Sequence, residues 1–388
     1  VGLKVIRAFH NEKIEQKKFQ QANTELNKMN LFVNRLMMLL DPIMTLVMNF
    51  SSVAIVWFGA HLISSGNLQI GNMMAFLEYA MQVIISFLLL SMVFIMVPRA
   101  AVSVKRVGEV LDTLPSIIDP QLPQQLPHDA TGKIEFKDVT FTYPDADLPV
   151  LSSINFTAEP GQTTAFIGST GSGKSTLIDL IPRFYDVSAG QILLDGVDIR
   201  QLKLEDLYDQ IGYVPQKGVL FSGTIASNIK YGNAKASQKL VEKSAKIAQA
   251  AEFISELKNG YKNEIAQGGS NVSGGQRQRL SIARAIAVEP NVYIFDDSFS
   301  ALDFKTDAKL RLALAKETKH KTVLIVGQRI NTIMNADKII VLDEGKIVGQ
   351  GTHQELMEDC QVYQEIAASQ LSEDDLQKIS ATTAKGAA

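Results

Sequence analysis

Apolar residues are distributed very unevenly along this chain of 388 residues. Two runs of nearly unbroken Leu, Met, Val, Ile and Phe occupy residues 36–63 and 73–97, and the polar segment 64–72 separates them. Each run exceeds the roughly 20 residues that a helix needs to cross about 30 Å of hydrocarbon. The pattern therefore predicts two transmembrane helices, at about residues 36–63 and 73–97, joined by a short turn.

Basic residues border these runs but do not enter them. No Lys or Arg occurs between residues 36 and 98, whereas several lie on each outer side. Because membrane proteins carry their excess of Lys and Arg on the cytoplasmic side, we expect both outer ends to be cytoplasmic and the turn to be external. A buried helical hairpin of a soluble protein is the alternative, but it would need a core too large for so few neighbouring helices.

Two carboxylates, Asp41 and Glu78, lie inside the apolar runs. A charge there costs about 2.5–3.5 kcal/mol on insertion scales, so each side chain is expected to face protein or water. Contact with a substrate or a coupling ion is one interpretation. For Asp41, which lies near the cytoplasmic end beside Pro42, we favour simple solvation, and for Glu78 both interpretations stay open.

Polar segments flank the apolar runs. Residues 3–31 carry apolar positions at helical spacing among Lys, Glu and Gln, which predicts one long polar helix. Because residue 1 already falls in this pattern and is not Met, we expect the chain to be the C-terminal portion of a longer protein. A proline-punctuated connector follows the second run; its prolines are Pro115, Pro120, Pro123 and Pro127.

Beyond this connector, β-branched apolar runs alternate with helical segments. Such alternation predicts a largely parallel sheet covered by helices, and segment 225–257 predicts an inserted helical subdomain. We therefore expect a transmembrane part at 1–130, an α/β domain at 131–371 and a flexible tail at 372–388. The predicted strands lie in IEFKDVTFTY, VLSSINFTA, TTAFIG, QILLDG, IGYVPQ, VYIFDD, TVLIVG and KIIVLD.

Charge and cysteine content exclude several classes of protein. A net charge of −3 gives no reason to expect a nucleic-acid partner. The single cysteine, Cys360, excludes an internal disulfide and a cysteine zinc cluster.

The segment GSTGSGKS follows one predicted strand and opens a helix, and it fits the phosphate-loop pattern G-x-x-x-x-G-K-[ST]. An ordinary turn rich in Gly and Ser is the alternative, and the flanking strand and helix favour the phosphate loop. We expect Lys174 to reach the β- and γ-phosphates of a nucleotide and Ser175 to bind Mg²⁺. The loop and its first helical residues are Gly168, Ser169, Thr170, Gly171, Ser172, Gly173, Lys174, Ser175 and Thr176.

Two further motifs suit such a site. VYIFDD delivers two carboxylates at the end of a buried strand, so Asp296 is expected to hold Mg²⁺ through water and Asp297 to orient an attacking water. SGGQ opens a basic helix and offers a second anion site. Such a site is useful when two of these domains face each other and hold ATP between them. Its residues are Ser273, Gly274, Gly275 and Gln276.

With these motifs the sequence resembles the ATP-binding cassette (ABC) exporters, specifically their half-transporters, over almost its whole length. The resemblance implies transmembrane helices followed by an α/β nucleotide-binding domain that takes ATP and Mg²⁺. It also implies that Tyr143 stacks on adenine and that Gln216 senses Mg²⁺ and the γ-phosphate. Segment 272–276 matches the signature motif, with Val272 in place of the usual Leu, and segment 300–303 matches the D-loop.

Two departures from the family pattern concern hydrolysis. Asp297 stands where the family carries a catalytic Glu, and Gln328 stands where it carries a His. Loss of a positioned base costs about 10²–10⁴-fold, so this site is expected to bind ATP and hydrolyse it poorly. A smaller departure, Gln267 in place of Glu, can alter contact with the membrane domain.

The nearly intact signature motif and the weakened catalytic positions resemble one subunit of bacterial heterodimeric multidrug exporters. The implied function is ATP-driven efflux of a hydrophobic small molecule across the cell membrane, with a second half-transporter as partner and the nucleotide-binding domain in the cytoplasm. A homodimeric exporter with slow hydrolysis and an ATP-binding regulatory subunit remain alternatives.

Overall fold

A computed structural model of the chain describes residues 2–370 and divides it into two compact units, Val1–Leu114 and Pro115–Ala388. The connector 115–130, which the sequence analysis placed with the transmembrane part, falls in the second unit. Its backbone is fixed there, because Gln124 donates from its N–H to Gln201 O and Asp119 accepts from Leu204 N–H. The tail predicted at 372–388 lies outside the described residues.

The first unit consists of α1 (Leu3–Ala8), α2 (Glu12–Ser64) and α3 (Ile70–Leu111). The single polar helix predicted over 3–31 is wrong in one respect, because the chain leaves helical geometry between α1 and α2, where His10 has a φ of 55°. From Glu12 the polar segment continues without a break into the first apolar run.

Helices α2 and α3 pack against each other through small and apolar side chains. Gly59 is buried, and a Cβ at that position would lie 2.7 Å from Met73 Sδ, so the glycine permits the close approach. Both helices are long and apolar enough to cross a membrane by length and composition. The predicted apolar spans are thus segments of two much longer helices.

The second unit alternates strands and helices. The strands are β1 (Ile134–Phe141), β2 (Leu151–Ala158), β3 (Thr163–Gly168), β4 (Ala189–Leu194), β5 (Val197–Asp198), β6 (Ile211–Val214), β7 (Gly223–Thr224), β8 (Glu264–Ile265), β9 (Val292–Asp296), β10 (Thr322–Val326), β11 (Lys338–Asp343) and β12 (Lys346–Gly351). The helices are α4 (Lys174–Asp179), α5 (Leu204–Asp209), α6 (Ile225–Ile229), α7 (Gln238–Ile247), α8 (Ala251–Glu256), α9 (Gly274–Ala287), α10 (Phe304–Glu317), α11 (Ile330–Ile333), α12 (His353–Asp359) and α13 (Gln361–Gln370).

These strands form two main sheets, whereas the sequence predicted one largely parallel sheet. The larger has the order β12-β11-β3-β10-β9-β6 and is parallel except for β12. The other, β2-β1-β4-β5, is antiparallel. The short link between β1 and β2 explains the difference, because a parallel pair needs a long crossover whereas an antiparallel pair does not. The predicted strand segments and the helical segment 225–257 are confirmed.

Helix α4 lies in a core shared by the two sheets. Leu177 of α4 clusters with Phe136 and Ile154 of the antiparallel sheet and with Phe166 and Leu324 of the parallel sheet. On the other side of the parallel sheet, helices α6–α9 pack on β9 and β10. This packing fixes the start of α4, and therefore the loop before it, relative to the ends of the parallel strands.

Leu324→Ala is expected to lower the free energy of unfolding by about 2–5 kcal/mol, because it removes a fully buried side chain from this shared core. Cys360, the single cysteine and itself buried, reports unfolding when it reacts with a fluorogenic thiol dye during heating. Leu148→Ala is the matched control, since Leu148 is 76% exposed. Equal decreases in the unfolding temperature of the two variants would contradict the described core.

Candidate nucleotide-binding site

The phosphate loop connects β3 to α4 at the carboxyl edge of the parallel sheet. Gly171 and Gly173 have φ values of 85° and 94°, which side chains with a Cβ rarely adopt. At Gly168 a Cβ would lie 2.0 Å from Leu342 O on the neighbouring strand, so only glycine fits there. The loop thus presents its backbone N–H groups at the start of α4, as an anion site requires.

Lys174 lies across this loop. Its Nζ donates to Ser169 O at 2.7 Å, to Gly168 O at 3.0 Å and to Ser172 Oγ at 3.2 Å. Burial lowers the pKa of Lys174, and the nearby carboxylates of Asp296 and Asp297 oppose that effect. The ammonium group therefore lies where it can exchange carbonyl partners for phosphate oxygens.

The structure brings Ser175 and Asp296 together although they are far apart in the sequence. Ser175 Oγ donates to Asp296 Oδ1 at 3.3 Å. Burial raises the pKa of Asp296 to about 6; the Ser175 hydrogen bond and the charge of Lys174 act in the opposite direction. A hydroxyl and a carboxylate in contact form the oxygen donor set that Mg²⁺ takes together with water and phosphate oxygens, so these residues fit the ion.

Asp297 lies next to Asp296 in a constrained backbone geometry, with a φ of 42°. Its side chain accepts a long hydrogen bond of 3.4 Å from Gln216 Nε2. Burial raises the pKa of Asp297, and the Gln216 hydrogen bond and the positive charge of Arg329 partly counter it. The side chain of Gln328 is exposed, and none of the hydrogen bonds described for residues 2–370 joins it to Asp297.

Tyr143 lies beside the beginning of α4. Its hydroxyl is 3.1 Å from Thr176 Oγ1, and its ring packs edge-on against Phe141 and Tyr185. This aromatic cluster stands next to the phosphate loop, where a stacked base would lie if the phosphates occupied the loop.

The SGGQ segment forms a capped start of α9. Ser273 Oγ accepts from Gln276 N–H at 3.2 Å, and Gln276 Oε1 accepts from Ser273 N–H at 2.9 Å. A Cβ at Gly274 would meet no atom within 4 Å, so that side of the turn is open, whereas a Cβ at Gly275 would lie 3.4 Å from Ala301 O. No hydrogen bond among the described residues links this segment to the phosphate loop.

Comparison with known families accounts for both units. The family of the ABC transporter transmembrane region matches residues 1–103, and the family of the ABC transporter matches residues 151–300. The chain belongs to the ABC transporters. It is a membrane protein of the half-transporter type, with a transmembrane region followed by a cytoplasmic nucleotide-binding domain, as the apolar runs and the motifs predicted.

Several ABC proteins are similar over most of the chain. An uncharacterized ABC transporter ATP-binding protein of Mycobacterium tuberculosis is 46% identical over 372 residues, 95% of this chain and 64% of that protein. An ATP-dependent lipid A-core flippase of Syntrophus aciditrophicus is 36% identical over 373 residues, 96% of this chain and 62% of that protein. The chain therefore spans less than two thirds of the length of these relatives.

A solved structure of a bacterial Atm1-family ABC exporter with ATP bound is also similar. It has a TM-score of 0.84 and 30% sequence identity, and the match covers 96% of this chain and 65% of that one. The fold class predicted from the sequence, transmembrane helices followed by an ABC nucleotide-binding domain, is confirmed.

Sequence reasoning missed two side chains that brace this ABC site. Tyr213 on β6 donates from its hydroxyl to Asp179 Oδ1 on α4 at 2.8 Å. Burial raises the pKa of Asp179, and the hydrogen bond from Tyr213 lowers it. Since β6 leads directly to Gln216, this bond ties the phosphate-loop helix to the segment that carries Gln216.

A third residue, Gln278 of α9, holds the other end of the same segment. It is 2% exposed, accepts from Gly218 N–H at 3.1 Å and donates to Pro215 O at 3.3 Å. A polar residue among the apolar positions of α9 was the only sequence signal for it. Hydrogen bonds to α4 and to α9 thus hold the chain on both sides of Gln216.

Tyr213→Phe is expected to loosen this segment, because the variant leaves the half-buried Asp179 carboxylate without its donor. Loss of such a bond costs about 1–2 kcal/mol, so amides in peptides covering residues 211–220 should exchange with deuterium about 5- to 30-fold faster. Tyr208→Phe is the control, since Tyr208 is 43% exposed. Unchanged exchange in the Tyr213 variant would contradict the brace.

Asp296→Asn is expected to raise the free energy of unfolding at pH 7 by about 1–3 kcal/mol. Because the pKa of Asp296 is raised to about 6 in the folded chain, the folded state binds this proton more tightly than the unfolded state does. The cost of the buried charge is thus complete above about pH 6 and falls as the pH falls towards about 4. In denaturant unfolding with EDTA and without nucleotide, the free energy gained by Asp296→Asn should shrink between about pH 7 and pH 5. A gain that does not change with pH would contradict the prediction.

Proposed function

We propose that this chain is a subunit of a heterodimeric ATP-driven exporter whose own catalytic positions are weak and whose signature motif completes the partner's site. One observation carries the proposal: Asp297 and Gln328 replace the catalytic pair of the family. The phosphate loop and the residues expected to hold Mg²⁺ are complete, and the signature segment is nearly intact, with Val272 as its one departure. The chain would therefore bind ATP in its own site and support hydrolysis in the neighbouring one.

The contacts of Asp297 support a slow site. Its side chain is one methylene shorter than that of Glu, and it already spans 3.4 Å to reach Gln216. A water-positioning group depends first on hydrogen-bond reach, so a shorter carboxylate holds the attacking water less well. Gln328 carries no charge with which to hold the γ-phosphate, and its side chain is exposed.

The phosphate loop and the residues around it support the binding of ATP and Mg²⁺. The loop N–H groups and Lys174 would hold the β- and γ-phosphates, and Tyr143 would support the adenine. Ser175 and Asp296 would hold Mg²⁺, with Gln216 nearby. When bound, Mg²⁺ supplies positive charge that neutralises the phosphates.

The signature segment supports a role in trans. The reciprocal hydrogen bonds of Ser273 and Gln276 order the first turn of α9, so its N–H groups and helix dipole have a fixed direction. A chain with one phosphate loop has no use for a second γ-phosphate site of its own. Two nucleotide-binding domains that sandwich ATP would use it.

The substrate of the proposed exporter is a hydrophobic small molecule, in a multidrug or lipid-like class. The two apolar helices support a path through the bilayer, and a relative carries the name ATP-dependent lipid A-core flippase. In the proposed cycle, ATP binding closes the two nucleotide-binding domains, which reorients the helices, and hydrolysis at the partner's site resets them.

A homodimeric exporter is the second candidate, because Asp297 still offers a carboxylate beside the phosphates and the signature segment is ordered. The two candidates differ in where ATP is hydrolysed. In a homodimer every site contains Asp297, whereas in the heterodimer the fast site belongs to the partner.

The test is ATP hydrolysis by the full-length protein, alone and together with the half-transporter encoded beside it. We expect slow turnover alone and fast turnover with the neighbour, and Ser273→Ala should reduce the fast turnover about tenfold or more by weakening the trans site. Ser237→Ala is the matched control, because Ser237 caps α7 in the same way, accepting from Leu240 N–H.

Three results separate the alternatives. Brisk hydrolysis by the chain alone that stops in Asp297→Asn would establish the homodimer instead. Neighbour-dependent hydrolysis without directional flux would identify a regulatory subunit. Neighbour-dependent hydrolysis that survives Ser273→Ala would remove the proposed role of the signature segment.

A further inference from the structure

We propose that Gln370, the last residue of α13, is a positioning residue for ATP hydrolysis at this chain's own site. Its amide fixes the backbone of residues 327–330, which we call the switch segment, beside Asp297. The proposal concerns the chemistry within one chain, so it goes beyond the proposed function and applies to a heterodimer and to a homodimer.

Both polar atoms of the Gln370 side chain bond to the switch segment. Oε1 accepts from Ile330 N–H at 2.9 Å, and Nε2 donates to Gln328 O at 2.8 Å. A side-chain amide carries the same donor and acceptor as a peptide group, so it pairs with the backbone on both sides of Arg329 as a neighbouring strand would. Two bonds fix the direction of the segment as well as its distance.

The switch segment cannot cap the helix that follows it. Arg329 is the N-cap residue of α11, and its guanidinium carries donors only, so it cannot accept from the first N–H groups. Ile330 is fully buried, and its N–H would be costly to leave unpaired. With only four residues, α11 is too short to hold its own start in place. Gln370 therefore supplies from another helix the acceptor that the local sequence lacks.

Helix α13 holds Gln370 at a fixed point. Tyr363 and Ala367 are fully buried and lie on the same face of α13 as Gln370, seven and three residues before it. They belong to one apolar cluster with Ile330 of α11 and Ile167 of β3. Because β3 also leads into the phosphate loop, the amide of Gln370 is anchored to the strand that positions the phosphate-binding groups.

The other end of the switch segment is bonded to the strands of the site. Gly327 N–H donates to Phe166 O on β3 at 3.1 Å. Just before it, Val326 O accepts from Asp297 N–H at 3.0 Å. The segment is therefore held at its start by the parallel sheet and at its end by Gln370.

Between these two attachments, the switch segment faces Asp297. Asp297, Arg329 and Gln370 line one cavity of about 920 Å³, and the charge of Arg329 is near enough to act on the Asp297 carboxylate. Loss of the two bonds would let Arg329 and Gln328 move relative to Asp297, while the phosphate loop stays in place. The chemical step should then slow without a loss of ATP binding, since catalysis depends on geometry more steeply than binding does.

The experiment measures ATP hydrolysis by full-length protein, alone and with the half-transporter encoded beside it. Gln370→Met keeps the length of the side chain and removes both hydrogen bonds. For the chain alone, kcat should fall about fivefold while KM for ATP stays within about twofold of the wild type. Gln370→Glu keeps the acceptor for Ile330 N–H, so its kcat should fall only about twofold.

Hydrogen exchange tests the contact itself. In peptides covering residues 327–333, the amides of Gln370→Met should exchange with deuterium about 5- to 30-fold faster than those of the wild type. Gln361→Met is the matched control, because Gln361 is an exposed glutamine of the same helix that bonds to Glu365. It should leave both kcat and the exchange of these peptides unchanged.

Several results would overturn the proposal. Unchanged exchange in Gln370→Met would remove the contact, and faster exchange with unchanged kcat would leave Gln370 a structural residue only. A rise in KM that accounts for the whole loss would assign it to ATP binding instead. No measurable hydrolysis by the wild-type chain alone would leave no reaction for it to position. If Gln370→Met also slows the fast turnover with the neighbour fivefold, the heterodimer proposal fails and the role of Gln370 stands.

Discussion

The position of the phosphate loop depends on one close backbone contact. β3 runs between β11 and β10, and at its end Gly168 passes so near the carbonyl of Leu342 that no side chain fits. The loop must therefore turn at this point, and α4 must begin directly behind it. Because β9 and β6 end at the same edge of the parallel sheet, Asp296 and Gln216 reach the same place from other parts of the chain.

This arrangement concentrates negative charge in a partly dry site. Asp296 lies near enough to both Asp179 and Asp297 to feel their charges, and burial raises the pKa of all three carboxylates. Lys174 offsets part of that charge, and a divalent cation would offset more. Burying these carboxylates lowers the free energy of unfolding, but it leaves them placed to hold a metal–nucleotide complex. Such a loss of stability is common at functional sites.

Much of this could be predicted from local sequence. The phosphate loop, the strand that ends in Asp296 and the start of α9 each follow from a short pattern whose chemistry is local. The antiparallel arrangement of β1, β2 and β4 could not be predicted in this way, because apolar runs do not reveal the direction of pairing. The bond between Tyr213 and Asp179 was equally invisible, since it joins two elements that meet only after the sheet has formed.

Helix α2 has a mechanical consequence that follows from its length alone. Its 53 residues extend about 80 Å, whereas the hydrocarbon of a bilayer is about 30 Å thick. Some 50 Å of rigid rod would then project into water, and a tilt of about 5° at the membrane would move its far end by about 4 Å. The helix can act as a lever arm, so a shift of about 2–3 Å across the bilayer becomes a displacement of about 4 Å at the projecting end.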